Sequence, residues 1–568
     1  MAKTEFKNIF LLKLPYCDHP SSFSDNNFRA KLTFRPLPSL ALANLCAFLE
    51  KYKTRDYKIK AVDLNLQAYT APGTPVDISL YPDLLDQAIN NNDYDVLALS
   101  VSFVFNAKWV EDAIKLSKKL HPEAKIIVGG GYSTLFPERC LEKHDINDAI
   151  IGEGEATFLH IINRYNNHSD HDFETKFPIG SYATKDENGR ISTIKGEHRF
   201  IDLADLPVPA WDSLNIDEYF KKSGDSTLPI EGSRGCPYRC SFCSTFIAWG
   251  NRVRYKPVDN LIKEISELSE KHPDLKSLLF VDDNLSFSKE IFKDFLTRYI
   301  NMGSRLKIDF INFSVKHLDE EIIKLLKQAG LEFFVMAVET GSPEMQKRIN
   351  KFINFDKVRE VVKILKSYDL KIGISWMIGF PGEAMEQINQ TLNFARELKA
   401  FNNQFFSVLP YPGTQLFREA KEAGLLFFPD DDLEKFDYRR GGYVKSDQWD
   451  HKQLQDIIYN INIETNFLNN PYLENAEKRE FLLKHLEKLL LTLSDHIIAH
   501  LVVGYIYGLK NRSSEQEEHY NRAKELLLDK KLSETFSKYL SWDNQIIKDF
   551  NQFNNKKNIL IEGVKVII

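Results

Sequence analysis

The sequence predicts an α/β protein in three parts: a doubly wound parallel sheet, a partial (β/α)6 barrel of TIM type, and a helical C-terminal segment. Three observations carry that prediction. Short apolar runs alternate with amphipathic stretches from Asn8 to about residue 170, the pattern of a parallel sheet covered by helices. The alternation resumes after a cysteine-rich loop at residues 232–243 and continues to about residue 420, with polar residues at the strand ends. Beyond about residue 440, helical patterns follow one another without strands. The expected divisions are 1–170, a linker at 171–220, 221–440 and 441–568.

Composition narrows the function classes. Lys+Arg 74 against Asp+Glu 80 gives a formal net charge of −6, so no bulk attraction for nucleic acid or an anionic membrane is expected. No run reaches the roughly 18 apolar residues of a membrane span. Met1-Ala2-Lys3-Thr4-Glu5 leads into strand-like sequence without the zones of a signal peptide. Six cysteines in 568 residues do not make a disulfide framework, and Cys17, Cys46 and Cys140 read as packing residues. The expectation is a cytoplasmic protein in a reducing compartment.

In the first part, Asn8-Ile9-Phe10-Leu11-Leu12 reads as a buried strand and Pro38 to Lys51 as a helix with Leu40, Leu42, Leu45 and Phe48 on one face. Strands follow at Lys58–Asp63, Val96–Ser100 and Ile126–Gly131, with a helix from Ala107 to Leu120 between the last two. Ligands of such sheets sit at the carboxyl ends of strands. The candidate contacts are therefore Pro15 and Tyr16, the stretch Ser100 to Val104 with Ser102 and Phe103, the run Gly129, Gly130, Gly131 and Tyr132, and Gly152 to Glu155 with Glu153. Three glycines after a strand let backbone approach a ligand, though a tight turn at a sheet edge is the competing reading. They do not form G-x-G-x-x-G, which argues against a nicotinamide dinucleotide.

The linker has loop chemistry. Asn188-Gly189 predicts a hairpin turn, the His168/His171 pair reads as a solvated loop, and Asp202 to Trp211 gives an extended lead-in fixed by Pro207 and Pro209.

The loop Gly232-Ser233-Arg234-Gly235-Cys236-Pro237-Tyr238-Arg239-Cys240-Ser241-Phe242-Cys243 places three cysteines in a C-x3-C-x2-C array. Zinc sites usually fill four positions from paired C-x-x-C units, whereas iron–sulfur clusters are held by thiolates in short runs. A cubane held by three thiolates keeps one iron open to a ligand. A zinc knuckle lacking its fourth ligand is the bland alternative.

Strands then end at Asp282-Asp283-Asn284, Ser314-Val315-Lys316, Glu339-Thr340-Gly341-Ser342, Gly379-Phe380-Pro381-Gly382-Glu383 and Pro410-Tyr411-Pro412. Each has a plain structural reading as well. The Asp282 cluster is suited to an N-cap, and Gly341-Ser342-Pro343 to a helix start. Helices are expected at 451–469, 476–493, 495–509 and 514–529, with only a faint tetratricopeptide look and no secure period. Asn558 to Ile568 is β-prone.

The cysteine loop, with Phe242 before its last cysteine, resembles the signature of the radical S-adenosylmethionine (SAM) enzymes. Ala337-Val338-Glu339-Thr340-Gly341-Ser342 and Ile378-Gly379-Phe380-Pro381-Gly382-Glu383 resemble that family's Gly-Ile-Glu-Ser-Gly-Ser and Gly-Leu-Pro-Gly-Glu segments. The resemblance implies a [4Fe–4S] cluster on Cys236, Cys240 and Cys243, whose open iron binds SAM and from which a 5′-deoxyadenosyl radical arises. It places Asp282 near the SAM amino group, Ser314, Lys316 and Glu339 near ribose and carboxylate, and Trp376 and Gly379 near adenine, with Phe242 supporting adenine by packing. Lys316 stands where an Arg is more usual.

The first part resembles a Rossmann-like cobalamin-binding domain. Ser100 or Ser102, and Gly129-Gly130, match the places that hold the cofactor's nucleotide tail in the methionine-synthase branch. That branch's Asp-x-His-x-x-Gly is missing: Asp18 and His19 are adjacent, so no cobalt-ligand role passes to His19. Together the two resemblances imply a cobalamin-dependent radical SAM C-methyltransferase, acting on a small-molecule or peptide substrate and supplied by an electron donor such as flavodoxin or ferredoxin. A non-methylating cyclisation or rearrangement, and a non-catalytic cobalamin sensor, are the alternatives. No side chain is required as acid or base, so none is assigned.

Overall fold

The computed structural model describes residues 5–17, 36–72, 76–103, 106–196, 200–427 and 443–556. Asp18, His19, Val104 and the β-prone stretch Asn558–Ile568 lie outside them. Strands β1 (Asn8–Lys13), β2 (Lys58–Asp63), β3 (Val96–Ser100), β4 (Lys125–Gly129) and β5 (Asp148–Ile150) pair in parallel in the order β2-β1-β3-β4-β5. The order reverses between β1 and β3, so their carboxyl ends flank the crevice in which such sheets bind ligands. An antiparallel hairpin, β6 (Tyr182–Lys185) and β7 (Ile191–Ile194), extends the sheet beyond β5. Gly189 turns it at φ +77°, and the Asp186 carboxylate accepts from the amides of Asn188 and Arg190. β1 is buried along nearly its whole length and β3 and β4 along their centres, as expected of strands covered on both faces.

The barrel begins with β8 (Thr227–Ile230). A two-residue pair, β9 (Ser233–Arg234) and β10 (Arg254–Tyr255), closes the cysteine loop antiparallel. β11 (Ser277–Phe280) and β12 (Lys307–Phe310) join β8 in one parallel sheet. β13 (Phe333–Glu339), β14 (Lys371–Ile378) and β15 (Asn402–Ser407) form the other. A bridge between Phe313 and Met336 connects the two sheets, giving six parallel strands in an open barrel. Amphipathic helices such as Val258–Lys271 and Phe355–Ser367 cover the outside, burying Leu261, Ile265 and Leu268 in one and Val358, Val361, Val362 and Leu365 in the other.

The sheet domain and barrel share one apolar core, while helices from Ala476 onward build a second around Ile497–Leu509, which is buried on nearly all sides. His451–Ile463 continues into a π-helical turn, Glu464–Leu468, that lies along β15. Among the described residues no helix is long and apolar enough to cross a membrane.

Candidate functional site

The cysteine loop leaves the end of β9 through Gly235, at φ +92°, where an added Cβ would fall 2.3 Å from the Arg252 carbonyl oxygen. Its far side is anchored by backbone bonds: Ser241 N donates to Ile349 O (3.0 Å) and Leu416 N to Ser241 O (2.9 Å). Cys236, Cys240 and Cys243 are all free thiols. Burial raises the Cys236 thiol and pushes Cys240 up to about 11; Cys236 feels the charge of Cys243, and Cys240 that of both Cys243 and Cys236. Such thiols ionise only beside a strong positive centre, which is what metal coordination provides. Among the described residues no three His, Cys, Asp or Glu side chains close on a single ion. The charge of Cys243 and of Cys236 is felt at Cys240, so the three thiols lie near one another at the loop, as a cluster held by one short run of cysteines requires.

Around that space the strand ends divide the work. Asp282 is buried and braces the loop: its carboxylate accepts from Gly232 N (3.0 Å) and Ser233 Oγ (2.6 Å), with burial pushing it up to about 7. It caps no helix, because the next one, Lys289–Asn301, is capped by Ser288. Asn284 donates toward Cys236 Sγ at 3.6 Å and leaves its buried Oδ1 without a partner. Lys316 lies 4.3 Å over the Tyr238 ring, and burial lowers its ammonium while Cys240 and Cys236 oppose that. Ser314 begins the turn that carries Lys316. Glu339 holds a left-handed backbone, φ +73°, at a bulge between β13 and β14, and accepts from Lys351 Nζ at 3.0 Å. Burial would lower Lys351, but Glu339 and the thiols of Cys240 and Cys243 outweigh it. An unpartnered acceptor and two cations beside the thiols suit a molecule with an ammonium and a carboxylate, as in SAM.

Two positions depart from expectation. Trp376 is fully buried and turned to the helix layer: it stacks on Phe405 at 5.8 Å, meets Phe394 edge-on, and donates to Asn403 Oδ1. Its neighbour Met377 instead packs with Phe242 and Phe380, so β14 presents Met377 to that side. Strand alternation made either residue the inward one until the register was known. Gly379 (φ +86°) bonds through its amide to Glu383 Oε2 at 2.7 Å and has Leu454 of the helix His451–Ile463 against it. Gly341-Ser342-Pro343 does start a helix, Pro343–Arg348.

On the sheet domain, a cavity of about 470 Å³ opens at the carboxyl ends of β3 and β4. Ser100, Gly129, Gly130 and Gly131 line it on one side, and Ser233, Arg234, Val281 and Asp283 of the barrel on the other. A Cβ on Gly130 (φ +105°) would stand 2.5 Å from Val101 O and one on Gly131 2.2 Å from Ser102 O, whereas one on Gly129 would meet nothing within 4 Å. The glycine run therefore packs its backbone tightly against the segment after β3 and leaves free space for a ligand at Gly129. Pro15 and Tyr16 follow β1 beside the end of β3, where Tyr16 meets the ring of Phe103 edge-on at 6.1 Å. Lys13, only 2 % exposed, donates to Ser102 Oγ at 2.5 Å and lies 4.5 Å over the Tyr16 ring. Tyr132 points the other way, fully buried with its hydroxyl on His144 Nε2 (3.1 Å). Glu153 lines a second cavity, of about 920 Å³, rather than the first.

In the wall of the first cavity lies a buried ion cluster that joins the domains. Arg234 donates to Glu155 Oε1 (2.7 Å), Glu231 Oε1 (2.6 Å) and Glu231 Oε2 (3.0 Å), with Glu153 at 3.6 Å. Arg254 pairs with Glu153, and Asn44 donates to Glu231 at 2.9 Å. Sequence reasoning missed Arg234, Asn284 and Lys351. Arg234 and Asn284 sit inside motifs already singled out, but Lys351 comes from a loop without any signal.

Comparison with known proteins agrees with this geometry. Residues 36–162 match the B12 binding domain and residues 230–395 the radical SAM superfamily. The chain is 24% identical over 464 residues to a cytidylyl-2-hydroxyethylphosphonate methyltransferase of Streptomyces wedmorensis, covering 75% of this chain and 86% of that protein. It is 28% identical over 399 residues to an uncharacterized methyltransferase of Pyrococcus horikoshii, covering 68% and 80%. An anaerobic magnesium-protoporphyrin IX monomethyl ester cyclase of Cereibacter sphaeroides is 25% identical, over 59% of this chain and 53% of that one. Among solved structures, the cobalamin-dependent S-adenosylmethionine radical enzyme OxsB shares the fold over 98% of this chain and 82% of its own, with TM-score 0.62 and 16% identity. The radical SAM methyltransferase TsrM from Kitasatospora setae does so over 75% and 80%, with TM-score 0.58 and 16% identity. A B12-binding module facing a radical SAM barrel is what the strand order, the cysteine loop and the shared cavity describe, and the chain belongs to the cobalamin-dependent radical SAM enzymes, whose cofactors are a [4Fe–4S] cluster, SAM and cobalamin.

Proposed function

We propose that this enzyme is a methyltransferase that places a methyl group on an unactivated carbon. The observation that carries the reading is the shared cavity, in which the glycine edge of the sheet domain faces Ser233, Arg234 and Asp283 beside the cysteine loop. When bound, cobalamin supplies a transferable methyl group, and the cluster with SAM supplies a radical able to remove hydrogen from carbon. Cys236, Cys240 and Cys243 would hold the cluster. Asn284 Oδ1 would accept from the SAM amino group, Lys316 and Lys351 would face its carboxylate, and Met377 with Phe242 would pack against adenine. Gly129 and Ser100 would leave room for the corrinoid. The chain contributes positioning, charge and exclusion of water, the last important because a carbon radical must meet only its intended partner.

The experiment is anaerobic turnover of reconstituted, cobalamin-loaded enzyme with methyl-labelled SAM. Label on the corrinoid and then on an acceptor is expected. SAM cleavage without label on the corrinoid would refute methyl transfer. The cyclase relative favours a second reading, a radical ring closure, in which an acceptor is altered without gaining label.

A further inference from the structure

Three cavities meet at one short helix. Thr245–Trp249 starts two residues after Cys243, and all its residues are half-buried. Ala248 and Trp249 wall the first cavity, and Phe246, Ile247 and Ala248 wall the second. Phe246 also walls a third, of about 450 Å³, in which Cys240 is exposed to the lining. The second and third cavities share Phe246, Gly250 and Asn251. A molecule held there lies against Cys240 and Ser241 of the cysteine loop on one side and against Ala248, a residue shared with the cofactor cavity, on the other.

The charge of these linings is one-sided. The second cavity presents Lys195, Arg252 and Arg254, and the third Arg239 and Arg418. Among the described residues the only carboxylate in either lining is Glu153, which already accepts from Arg254 and from Ile201 N. Among the described residues the Arg418 side chain donates only to the Gly413 carbonyl. Arg239 and Arg252 are exposed and make no hydrogen bond or ion pair with any described residue. Several exposed arginines elsewhere are engaged, Arg298 with Asp259 and Asp294, Arg359 with Asp356 and Glu397, Arg396 with Glu464 and Arg512 with Glu515, whereas the Arg190 side chain at the hairpin turn has no partner among the described residues. In a chain of net charge −6, these two mouths hold a local excess of cations.

We infer that the substrate carries an anionic oxygen group, a phosphate, phosphonate or carboxylate, received by Arg239, Arg252 and Arg418 where the second and third cavities join. The inference rests on the enzymatic reading above and names its substrate class. Guanidinium groups grip such oxygens two at a time, which fixes orientation as well as distance. Phe246, common to both cavities, then sets how far the rest of the molecule reaches toward the cofactor cavity. A neutral polycyclic substrate would leave these guanidinium groups unmatched and gain nothing from them.

The test uses anaerobic, cluster-reconstituted, cobalamin-loaded enzyme, with pyrophosphate and succinate as separate probes in calorimetric titration. At least one is expected to bind, with affinity falling about tenfold or more in the Arg239→Gln/Arg252→Gln double variant and unchanged in Arg359→Gln. Preference for pyrophosphate selects a phosphorus acid, and preference for succinate a carboxylate. Binding of neither, or equal binding by the double variant, overturns the inference. So does a double variant that binds both probes normally but is reduced more slowly by an acidic flavodoxin and not by dithionite, since the arginines would then serve a protein partner. Transfer of SAM label to the corrinoid is followed in parallel. Its failure in the unaltered enzyme counts against methyl transfer alone, because anion binding needs no turnover.

Discussion

Asn462 and Phe405 make the pair of bonds that a seventh strand would make. Phe405 N donates to Asn462 Oδ1 at 3.1 Å, and Asn462 Nδ2 returns to Phe405 O at 3.1 Å. Asn466 repeats this with Asn403, at 2.6 Å each way, and Asn470 Nδ2 donates to Phe401 O at 3.0 Å. Four helical residues advance about 6 Å and two strand residues about 6.6 Å, so the two repeats run in step over three contacts. The free edge of the barrel is thus satisfied by side chains, where an open edge would invite pairing with another chain.

Replacing Asn462 and Asn466 together by Ala should expose that edge. Each loses a donor and an acceptor to buried backbone, so a loss of about 2–5 kcal/mol is expected. Urea denaturation should show it, together with concentration-dependent light scattering that Asn393→Ala, on an outer helix, does not produce.

Cys240→Ala should abolish the iron–sulfur absorbance and SAM cleavage while leaving cobalamin binding intact, since the glycine edge belongs to the other domain. Iron analysis and a corrinoid titration on the same preparation check both halves. A variant that keeps its full iron content would place the cluster elsewhere.

The glycines should separate stability from binding. A Cβ at Gly129 meets nothing within 4 Å, so Gly129→Ala should melt like the unaltered protein but bind cobalamin at least about tenfold more weakly. Gly130→Ala must strain a φ of +105° and strike Val101 O, and should lose about 2–4 kcal/mol of stability outright. Thermal melts and absorbance titrations distinguish the two.

Glu383 should give stability a pH dependence. It is fully buried, burial pushes its carboxyl up to about 7, and its Oε1 has no partner although Gly379 and Phe380 donate to Oε2. The folded state therefore prefers the protonated form. Its contribution is complete below the unfolded value near 4.5, fades as pH rises, and is lost through about 7. At most about 3 kcal/mol is involved. Denaturation midpoints between pH 5 and 8 should fall more steeply in the unaltered protein than in Glu383→Gln, which keeps the acceptor and adds a donor for the unmatched side.

Arg234→Met should cost about 3–5 kcal/mol, because Glu231 and Glu155 would stay buried without their cation. Chemical denaturation measures it, and Arg234→Lys should recover only part, lacking the fork that reaches both carboxylates.

Periodicity and strand-end chemistry made the parallel sheet, the strand ends, the hairpin at Gly189 and the cysteine loop legible in the sequence. Side-chain direction was not. Whether Trp376 or Met377 faces inward depends on the register of β14, and whether Asp282 meets a ligand or the loop depends on how β9 approaches β11. Lys351 and Arg234 escaped for a related reason: an ion pair assembled from distant segments has no local pattern. Asn462, Asn466 and Asn470 did carry a period of four, but on a helix that reads as a solvated face until a strand edge is known to lie beneath it.

The ion cluster around Arg234 bears on when the enzyme acquires its corrinoid. Parting the two domains to admit a bulky guest would strand Glu153 and Glu155 away from Arg234 and Arg254 and take Asn44 from Glu231, at several kcal/mol in buried surroundings. Loading is easiest while the chain is still assembling and the salt links have not formed. Corrinoid added to the assembled protein is then expected to bind more slowly than corrinoid present during refolding, a difference that the time course of corrinoid absorbance measures.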